Sequence, residues 1–352
     1  MPKTSFVLSA LGATLFLSLA PRSAFAQWET LVPAGNTICS DGSPYRFFIH
    51  RGDPQKLLIE FEGGGGCWSG STCEADVYNR RVLSDPEVAR QTGQLQGIYD
   101  RANPANPLRD FTHVYIPYCT GDLHWGNATT TYTAASGADY VIQHKGAVNA
   151  STALNWAGEN VMTPSQIVVA GCSAGGYGAA LWSAKIARAY PGARLVQLAD
   201  SAAGVVPEGF LSVLTNSWNV ADAWPDFIPD IALDQVDPAT LSLPRLYNSI
   251  ASFYPTASFS QFNTRTDSTQ IFFYILAKGS ISVTDAATWS ARMVSNMDQI
   301  SAASPNFRAY LAPGSEHCII NRPSFYTQTV QGRKFSDWVG TLLSGADPGQ
   351  VR

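Results

Sequence analysis

The chain has 352 residues and a formal net charge of −4, and only 14% of its residues are charged. The net charge argues against nucleic acid or an anionic membrane surface as a partner. An average domain carries roughly 25% charged residues, and the uncharged polar residues that replace them here suit an exported protein. Beyond the N-terminal segment, no apolar run approaches the length that a membrane-spanning helix needs.

The N-terminal segment has the pattern of a secretory signal peptide. Lys3 supplies a positive charge, residues 6–20 are almost wholly apolar, and Ala24-Phe25-Ala26 forms a small-residue cleavage site. A membrane anchor is the alternative, but the apolar run is shorter than the roughly 18–20 residues of a spanning helix. We therefore expect residues 1–26 to be removed on export and residues 27–352 to form a single domain.

Segments of strand length alternate with longer helical patterns along residues 27–352. This alternation predicts an α/β fold, with a mostly parallel central sheet flanked by helices on both faces. The predicted strands are Lys56–Phe61, Thr112–Tyr118, Gln166–Ala170, Leu195–Leu198 and Phe307–Leu311. The predicted helices are Gly137–Gly158, Gly175–Ala189, Glu208–Asn216, Asp285–Ala303 and Phe335–Leu343.

One stretch, from about residue 222 to 266, fits the alternation least well. It is rich in Asp, Pro, Ser and aromatic residues. We interpret it as an insertion that shapes a substrate cleft, and an irregular surface excursion is the alternative.

A glycine-rich loop follows the first predicted strand. Gly63 to Gly66 come directly after Glu60-Phe61-Glu62, and glycine lets backbone N–H groups approach a ligand without hindrance from a Cβ atom. A phosphate-binding loop is the alternative. It is less suitable because the segment lacks both the Gly-Lys-Ser/Thr ending of a P-loop and the spaced glycines of a dinucleotide fingerprint. An oxyanion-hole loop fits the position better.

The segment Gly171-Cys172-Ser173-Ala174-Gly175 contains the pattern G-x-S-x-G. A buried-type strand runs straight into it and an Ala-rich helix follows, which is the strand–turn–helix context of a nucleophile elbow. In this context Ser173 is the candidate nucleophile, and the backbone N–H of Ala174 would face a developing oxyanion. The alternative is a glycine-rich turn with no chemical role.

A nucleophilic serine needs a histidine base and a carboxylate that orients it. The chain has five histidines, and the order Ser, acid, His that is typical of this fold leaves only His317 after the serine. Several aspartates lie in the right interval; among them, Asp200 ends a predicted strand and Asp267 precedes an apolar run. Spacing alone does not choose between them.

The six cysteines are an even number, which in an exported protein indicates disulfides before metal ligands. The short Cys-x-x-Cys or His pairs of a zinc site are not found, so no metal is expected. Cys172 adjoins Ser173 and Cys318 adjoins His317. If the serine and the histidine meet, their neighbours come within disulfide distance, which predicts a Cys172–Cys318 bond.

Three segments, taken together, resemble the pectin acetylesterase family, which includes the Notum-type deacylases. The matching segments are Glu62–Trp68 with Cys73, Pro117–Asp122 and Gly171–Gly176. The resemblance covers about residues 57–201, with His317 as a separate later match. It implies an α/β-hydrolase fold and a Ser-Asp-His triad.

The resemblance also assigns individual residues. Asp267 matches the family's acid, Asp200 matches a structural aspartate, and Ala174 with Gly64 or Gly65 would form the oxyanion hole. It further implies the disulfides Cys67–Cys73 and Cys39–Cys119. Four residues near these segments are expected to line the substrate cleft: Trp68, His124, Trp125 and Tyr177.

Two features depart from the pattern of Notum-type sequences. Gly65 stands where those sequences carry a bulky aromatic residue, so the oxyanion loop differs. The cysteines beside Ser173 and His317 resemble instead the tannase and feruloyl esterase family.

The first functional hypothesis is an exported carboxylic-ester hydrolase without a cofactor, acting on O-acetyl esters of a polysaccharide such as pectin. The alternatives are feruloyl, aryl, lipid or polyester substrates for the same triad, or a binding protein built on an inactive scaffold. A deep apolar pocket would favour the feruloyl, aryl, lipid or polyester substrates. A shallow cleft lined by Trp and Tyr would favour a polysaccharide.

Overall fold

The structure is a computed structural model that describes residues 27–83, 85–161 and 163–352. The predicted signal peptide, residues 1–26, lies outside the described residues. Within the described ranges, no helix combines the length and the apolar character needed to cross a bilayer.

The centre of the molecule is an eight-stranded sheet with the order β1-β2-β4-β3-β7-β8-β9-β10. The pairs β1–β2 and β2–β4 are antiparallel and the others are parallel. The strands are β1 Glu29–Leu31, β2 Phe47–His50, β3 Asp53–Phe61, β4 Phe111–Ile116, β5 Ala128–Thr133, β6 Asp139–His144, β7 Gln166–Cys172, β8 Arg194–Asp200, β9 Ser258–Thr264, β10 Phe307–Ala312, β11 Thr329–Val330 and β12 Arg333–Lys334. Strands β5–β6 and β11–β12 form two small antiparallel ribbons.

Helices cover both faces of this sheet. They are α1 Gly70–Glu74, α2 Pro86–Gln91, α3 Gly146–Asn160, α4 Ala174–Ala189, α5 Phe210–Trp218, α6 Leu243–Phe253, α7 Ser268–Lys278, α8 Asp285–Ala303, α9 Ser324–Thr327 and α10 Phe335–Ser344. Short 3₁₀ turns occur at Gly97–Tyr99, Val220–Asp222, Pro229–Ile231 and Pro238–Thr240.

The two faces bury separate cores because successive side chains of a strand point to opposite sides. On β7, Ile167 and Val169 pack into one core with α3, α4, α6 and α8. Val168 and Ala170 pack into the other core with α9 and α10. The predicted α/β architecture, a mostly parallel sheet covered on both faces, is confirmed.

The predicted helix Gly137–Gly158 is wrong over its first part. Residues 139–144 form strand β6, which pairs with β5, and the helix begins only at Gly146. The burial along β6 alternates, and Ile142 and Tyr140 pack beside the Cys67–Cys73 bridge. A period of two is the signal of a strand.

The predicted insertion at about 222–266 extends too far. Its last part is strand β9, which lies inside the central sheet between β8 and β10, and α6 packs against this strand and α8. The sequence did not predict this strand, because Ser260, Gln261 and Asn263 are polar although they are fully buried. Ser260 finds its partners on Gln197 of the adjacent strand, at 3.1 Å and 2.7 Å. The irregular part is confined to the 3₁₀ turns before α6.

Candidate active site

Ser173 lies in a tight turn between β7 and α4, at the carboxyl end of the sheet. Its backbone has φ 56° and ψ −122°, a strained conformation for a residue with a side chain. The turn requires glycine on both sides: a Cβ atom on Gly171 would lie 2.2 Å from Gly175 O, and one on Gly175 would lie 1.9 Å from Phe61 O. This is the geometry of the predicted nucleophile elbow.

The structure brings His317 and Asp267 together. His317 Nδ1 lies 2.8 Å from Asp267 Oδ2 and 3.0 Å from Oδ1. Asp267 is fully buried and also accepts hydrogen bonds from Gln270 N (2.9 Å) and Gln270 Nε2 (3.0 Å) at the start of α7. A carboxylate accepts only, so Nδ1 carries the proton and Nε2 is left to accept one.

Three parallel strands deliver these side chains to one edge of the sheet. Ser173 follows β7, Asp267 follows β9 and His317 follows β10. Ser173 and His317 line the same cavity, although no hydrogen bond joins their side chains among the described residues. Such bonds are often long in a free enzyme and tighten when a substrate binds.

Asp200 has a different task from Asp267. Its Oδ2 accepts hydrogen bonds from Ile319 N (2.6 Å) and Ile320 N (2.8 Å), the backbone just after His317. Burial raises the pKa of Asp200 to about 6, against the lowering effect of these bonds. The Asp200 carboxylate therefore anchors the backbone of the loop that carries His317, whereas the imidazole Nδ1 of His317 contacts Asp267.

The predicted oxyanion-hole residues separate into two groups. Gly65 and Ala174 line the cavity beside the serine, and Gly66, which the sequence did not single out, lines it too. Gly64 is not among the lining residues, and its carbonyl accepts a backbone hydrogen bond of 2.8 Å from Asn79. Ala174 is the first residue of α4, so its N–H has no partner within the helix.

Three of the four predicted cleft residues line the cavity: Trp68, Trp125 and Tyr177. The fourth prediction is wrong. The His124 side chain is buried outside the cavity, where its Nε2 lies 2.8 Å from the carbonyl oxygen of Glu62. Burial lowers the pKa of His124 to about 4, so the ring is neutral at ordinary pH.

The cavity opens to solvent, and the space within it that the centre of a water molecule can reach is about 110 Å³. Most of its wall is apolar and comes from α5, from α6 with the segment before it, and from α7 and α8. Among the side chains that form this wall are Phe210, Leu214, Trp218, Trp224, Leu246 and Trp289. Within the described part of the chain, no Lys, Arg, Asp or Glu lines it. The serine and the histidine therefore face an uncharged, mostly apolar cavity.

All three predicted disulfide pairs are bonded: Cys39–Cys119, Cys67–Cys73 and Cys172–Cys318. The Cα atoms of Cys172 and Cys318 are 5.6 Å apart, within the range for such a bond. The bond ties the residue before the candidate nucleophile to the residue after the candidate base, across 146 positions of the chain. It links the loop that carries Ser173 to the loop that carries His317, and the relative position of these loops sets the distance for proton transfer.

Replacing both members of this bridge, in a Cys172→Ser/Cys318→Ser variant, should lower kcat more sharply than it lowers the amount of folded protein. The histidine loop loses its covalent link to the elbow, whereas both hydrophobic cores stay intact. Ester hydrolysis and the thermal melting curve are to be measured on the same preparation. The Cys39→Ser/Cys119→Ser variant is the matched control, because neither cysteine lines the cavity, and an equal loss of kcat in both would contradict this role.

The sheet order, the helices on both faces and the strand–turn–helix position of Ser173 define an α/β-hydrolase. The Wnt deacylase Notum from Drosophila has the same fold, with a TM-score of 0.67 over 93% of this chain and 96% of that chain, at 15% sequence identity. A second crystal form of that protein aligns with a TM-score of 0.65.

The family model for pectinacetylesterases matches residues 24–208, and the chain belongs to this family. It is 35% identical over 95 residues to palmitoleoyl-protein carboxylesterase NOTUM of Schmidtea mediterranea, and 27% identical over 147 residues to palmitoleoyl-protein carboxylesterase notum2 of Xenopus laevis. These matches cover 26% and 41% of this chain but only 18% and 29% of the two relatives. The family is described as pectinacetylesterase, and both relatives are named as carboxylesterases.

Proposed function

We propose that this protein is an exported serine carboxylesterase whose preferred substrates carry an extended apolar acyl group. Membership of the pectinacetylesterase family supports the ester-hydrolase class. The strained elbow at Ser173 and the 2.8 Å contact between His317 and Asp267 support the serine mechanism. The signal-peptide pattern and the three disulfides support export, because such bonds persist in oxidising compartments.

The reaction begins when His317 Nε2 removes the proton from Ser173 Oγ as the oxygen attacks the ester carbonyl. The N–H groups of Ala174 and Gly65 stabilise the oxyanion, and Asp267 stabilises the imidazolium that forms. The imidazolium then donates its proton to the leaving alcohol, which leaves an acyl-enzyme on Ser173. Water, activated by the same imidazole, hydrolyses this ester and frees the serine.

The cavity is the observation that carries the choice of acyl group. Its wall is built mostly from large apolar side chains, among them Phe210, Leu214 and Trp289, and the single methyl group of an acetyl ester can contact only a few of them. Burying each methylene of a longer chain against the apolar wall contributes about 0.8 kcal/mol to binding. The names of the two curated relatives, palmitoleoyl-protein carboxylesterases, point to the same kind of substrate.

An O-acetylated polysaccharide such as pectin is the second candidate, and the family's description supports it. Trp68, which is half-buried in the cavity wall, offers an aromatic face to a sugar. The uncharged wall does not favour a uronate carboxylate inside the cavity, since a buried anion needs a cationic partner. A polysaccharide chain would therefore have to bind outside, with only its acetyl group entering.

A series of p-nitrophenyl esters from acetate to palmitate separates the two candidates. We expect kcat/KM to rise at least tenfold from acetate to a medium-length chain, because each added methylene buries apolar surface. Filling the cavity with Ala277→Phe should abolish this rise while leaving acetate hydrolysis nearly unchanged. Ala277 lines the cavity, whereas Ala286, on the exposed side of α8, provides the control Ala286→Phe.

Acetate and acetylated pectin as the best substrates, with chain length without effect in both variants, would favour the polysaccharide candidate and overturn the apolar acyl group. No hydrolysis of any ester by folded protein would favour the binding-protein alternative.

A further inference from the structure

The turn that carries His124 is strained. Leu123 and His124 have φ values of 58° and 63°, so two consecutive residues with side chains occupy the left-handed region. Polar groups hold them there: Tyr118 Oη accepts a hydrogen bond from Leu123 N (3.0 Å), and Asp122 Oδ1 accepts one from His124 N (3.2 Å). Strain of this kind persists where the surroundings enforce it, typically beside a functional site.

The strained turn directs the His124 ring at one peptide group. His124 Nε2 lies 2.8 Å from Glu62 O, and a carbonyl only accepts, so the ring donates through Nε2–H. The ring packs against Phe61 and Tyr118, with centroids 5.1 Å and 4.9 Å away. The backbone carbonyl of His124 is fixed in turn by Trp182 Nε1 at 2.9 Å.

That peptide group is the entrance to the glycine loop. The Glu62 carbonyl and the Gly63 N–H belong to one planar unit, so fixing the carbonyl also fixes the direction in which the loop departs. Gly63 packs directly on the elbow, where a Cβ atom would lie 2.6 Å from Cys172 O. The Glu62 side chain is held as well, since its Oε2 accepts a hydrogen bond from Tyr118 N at 2.8 Å.

The far end of the glycine loop is held by the same turn. Cys67 N donates to Gly121 O at 2.9 Å. The segment after β4 therefore forms hydrogen bonds with both ends of the glycine loop. Within this loop, Gly65 and Gly66 line the cavity beside Ser173.

We propose that His124 is a positioning residue for the oxyanion hole: its Nε2–H fixes the Glu62–Gly63 peptide and thereby the Gly65 N–H. The inference rests on the proposed esterase function. His124 takes no part in proton transfer, because it stays neutral and lies outside the cavity. Its loss therefore affects the stabilisation of the transition state and not the binding of the acyl chain.

The test compares His124→Gln with His124→Met. Both side chains are similar in length, but only glutamine can donate to the Glu62 carbonyl. We expect His124→Met to lower kcat about 10- to 100-fold with KM nearly unchanged, since a misplaced oxyanion donor costs rate and not ground-state affinity. His124→Gln should recover most of the rate. Hydrogen–deuterium exchange of the peptide that contains Gly63–Cys67 should rise in the methionine variant and return in the glutamine variant.

His113→Met is the control for the loss of a buried histidine, because His113 lies on β4, within the sheet and outside the cavity lining. Equal kcat and equal exchange in both folded His124 variants would overturn the proposal and leave the esterase function standing. Absence of ester hydrolysis in the wild type would overturn the esterase function instead, and the exchange result would still report on the loop.

A measurement on the wild type covers the case in which neither variant folds. Nitrogen-15 NMR of labelled histidine should show the His124 proton on Nε2, unchanged between pH 5.5 and 8.5. A proton on Nδ1 alone would contradict the hydrogen bond to Glu62, and with it the positioning role.

Discussion

Ser173→Ala should remove essentially all ester hydrolysis while leaving the fold intact. Without the hydroxyl no acyl-enzyme forms, and in a serine protease the loss of this residue costs about 10⁶-fold in kcat. The fold should survive because the serine lies at a turn that is shaped by the glycines around it and by its backbone bond to Asp200 O at 2.8 Å. Hydrolysis of a medium-chain ester and the melting curve are the two measurements.

Ser183→Ala is the matched control for this variant. Ser183 lies on α4, the helix that follows Ser173; it is fully buried, and its hydroxyl donates to Ala180 O at 2.7 Å. We expect wild-type turnover from the control. Wild-type turnover from pure Ser173→Ala would exclude Ser173 as the nucleophile.

Asp267→Asn should lower kcat by about 10⁴-fold, the scale seen for the equivalent change in a serine protease. An asparagine amide can donate to His317 Nδ1, which places the imidazole proton on Nε2, where it cannot accept the serine proton. The free energy of unfolding should be affected much less than kcat, because the asparagine amide oxygen can still accept the hydrogen bond from Gln270 N. Steady-state kinetics at several pH values, together with chemical denaturation, measure both effects.

Asp200→Asn distinguishes the two buried carboxylates. Because Asp200 holds the backbone of residues 319 and 320, its replacement should mainly lower the melting temperature. A loss of about 10⁴-fold in kcat for folded Asp200→Asn, with Asp267→Asn close to wild type, would reverse the two roles.

The elbow could be predicted because its signal is local. Small residues, a buried strand before Ser173 and a helix after it all stand within one short segment. His317 followed from chain order, and the Cys172–Cys318 bond followed from the adjacency of each cysteine to a residue of the pair. The choice of Asp267 over Asp200 came from family resemblance, since both aspartates lie between Ser173 and His317 in the chain and spacing alone does not separate them.

Other features could not be predicted because they depend on distant contacts. Strand β9 carries buried polar residues whose partners lie on β8, so its pattern resembles a loop. His124 stands in an aromatic segment typical of a cleft, but two left-handed residues turn its ring toward Glu62. The apolar cavity is lined by side chains from many separate segments of the chain, so no short stretch of the sequence reveals it.

The most direct test of the serine esterase proposal is the mass of the Ser173 peptide after reaction with a long-chain alkyl fluorophosphonate. We predict one phosphonyl adduct per chain on Ser173, formed faster than with a methyl analogue and absent from Ser173→Ala. An adduct on another residue, or no adduct on folded wild-type protein, would contradict the claim that this chain is a serine esterase with an apolar acyl site.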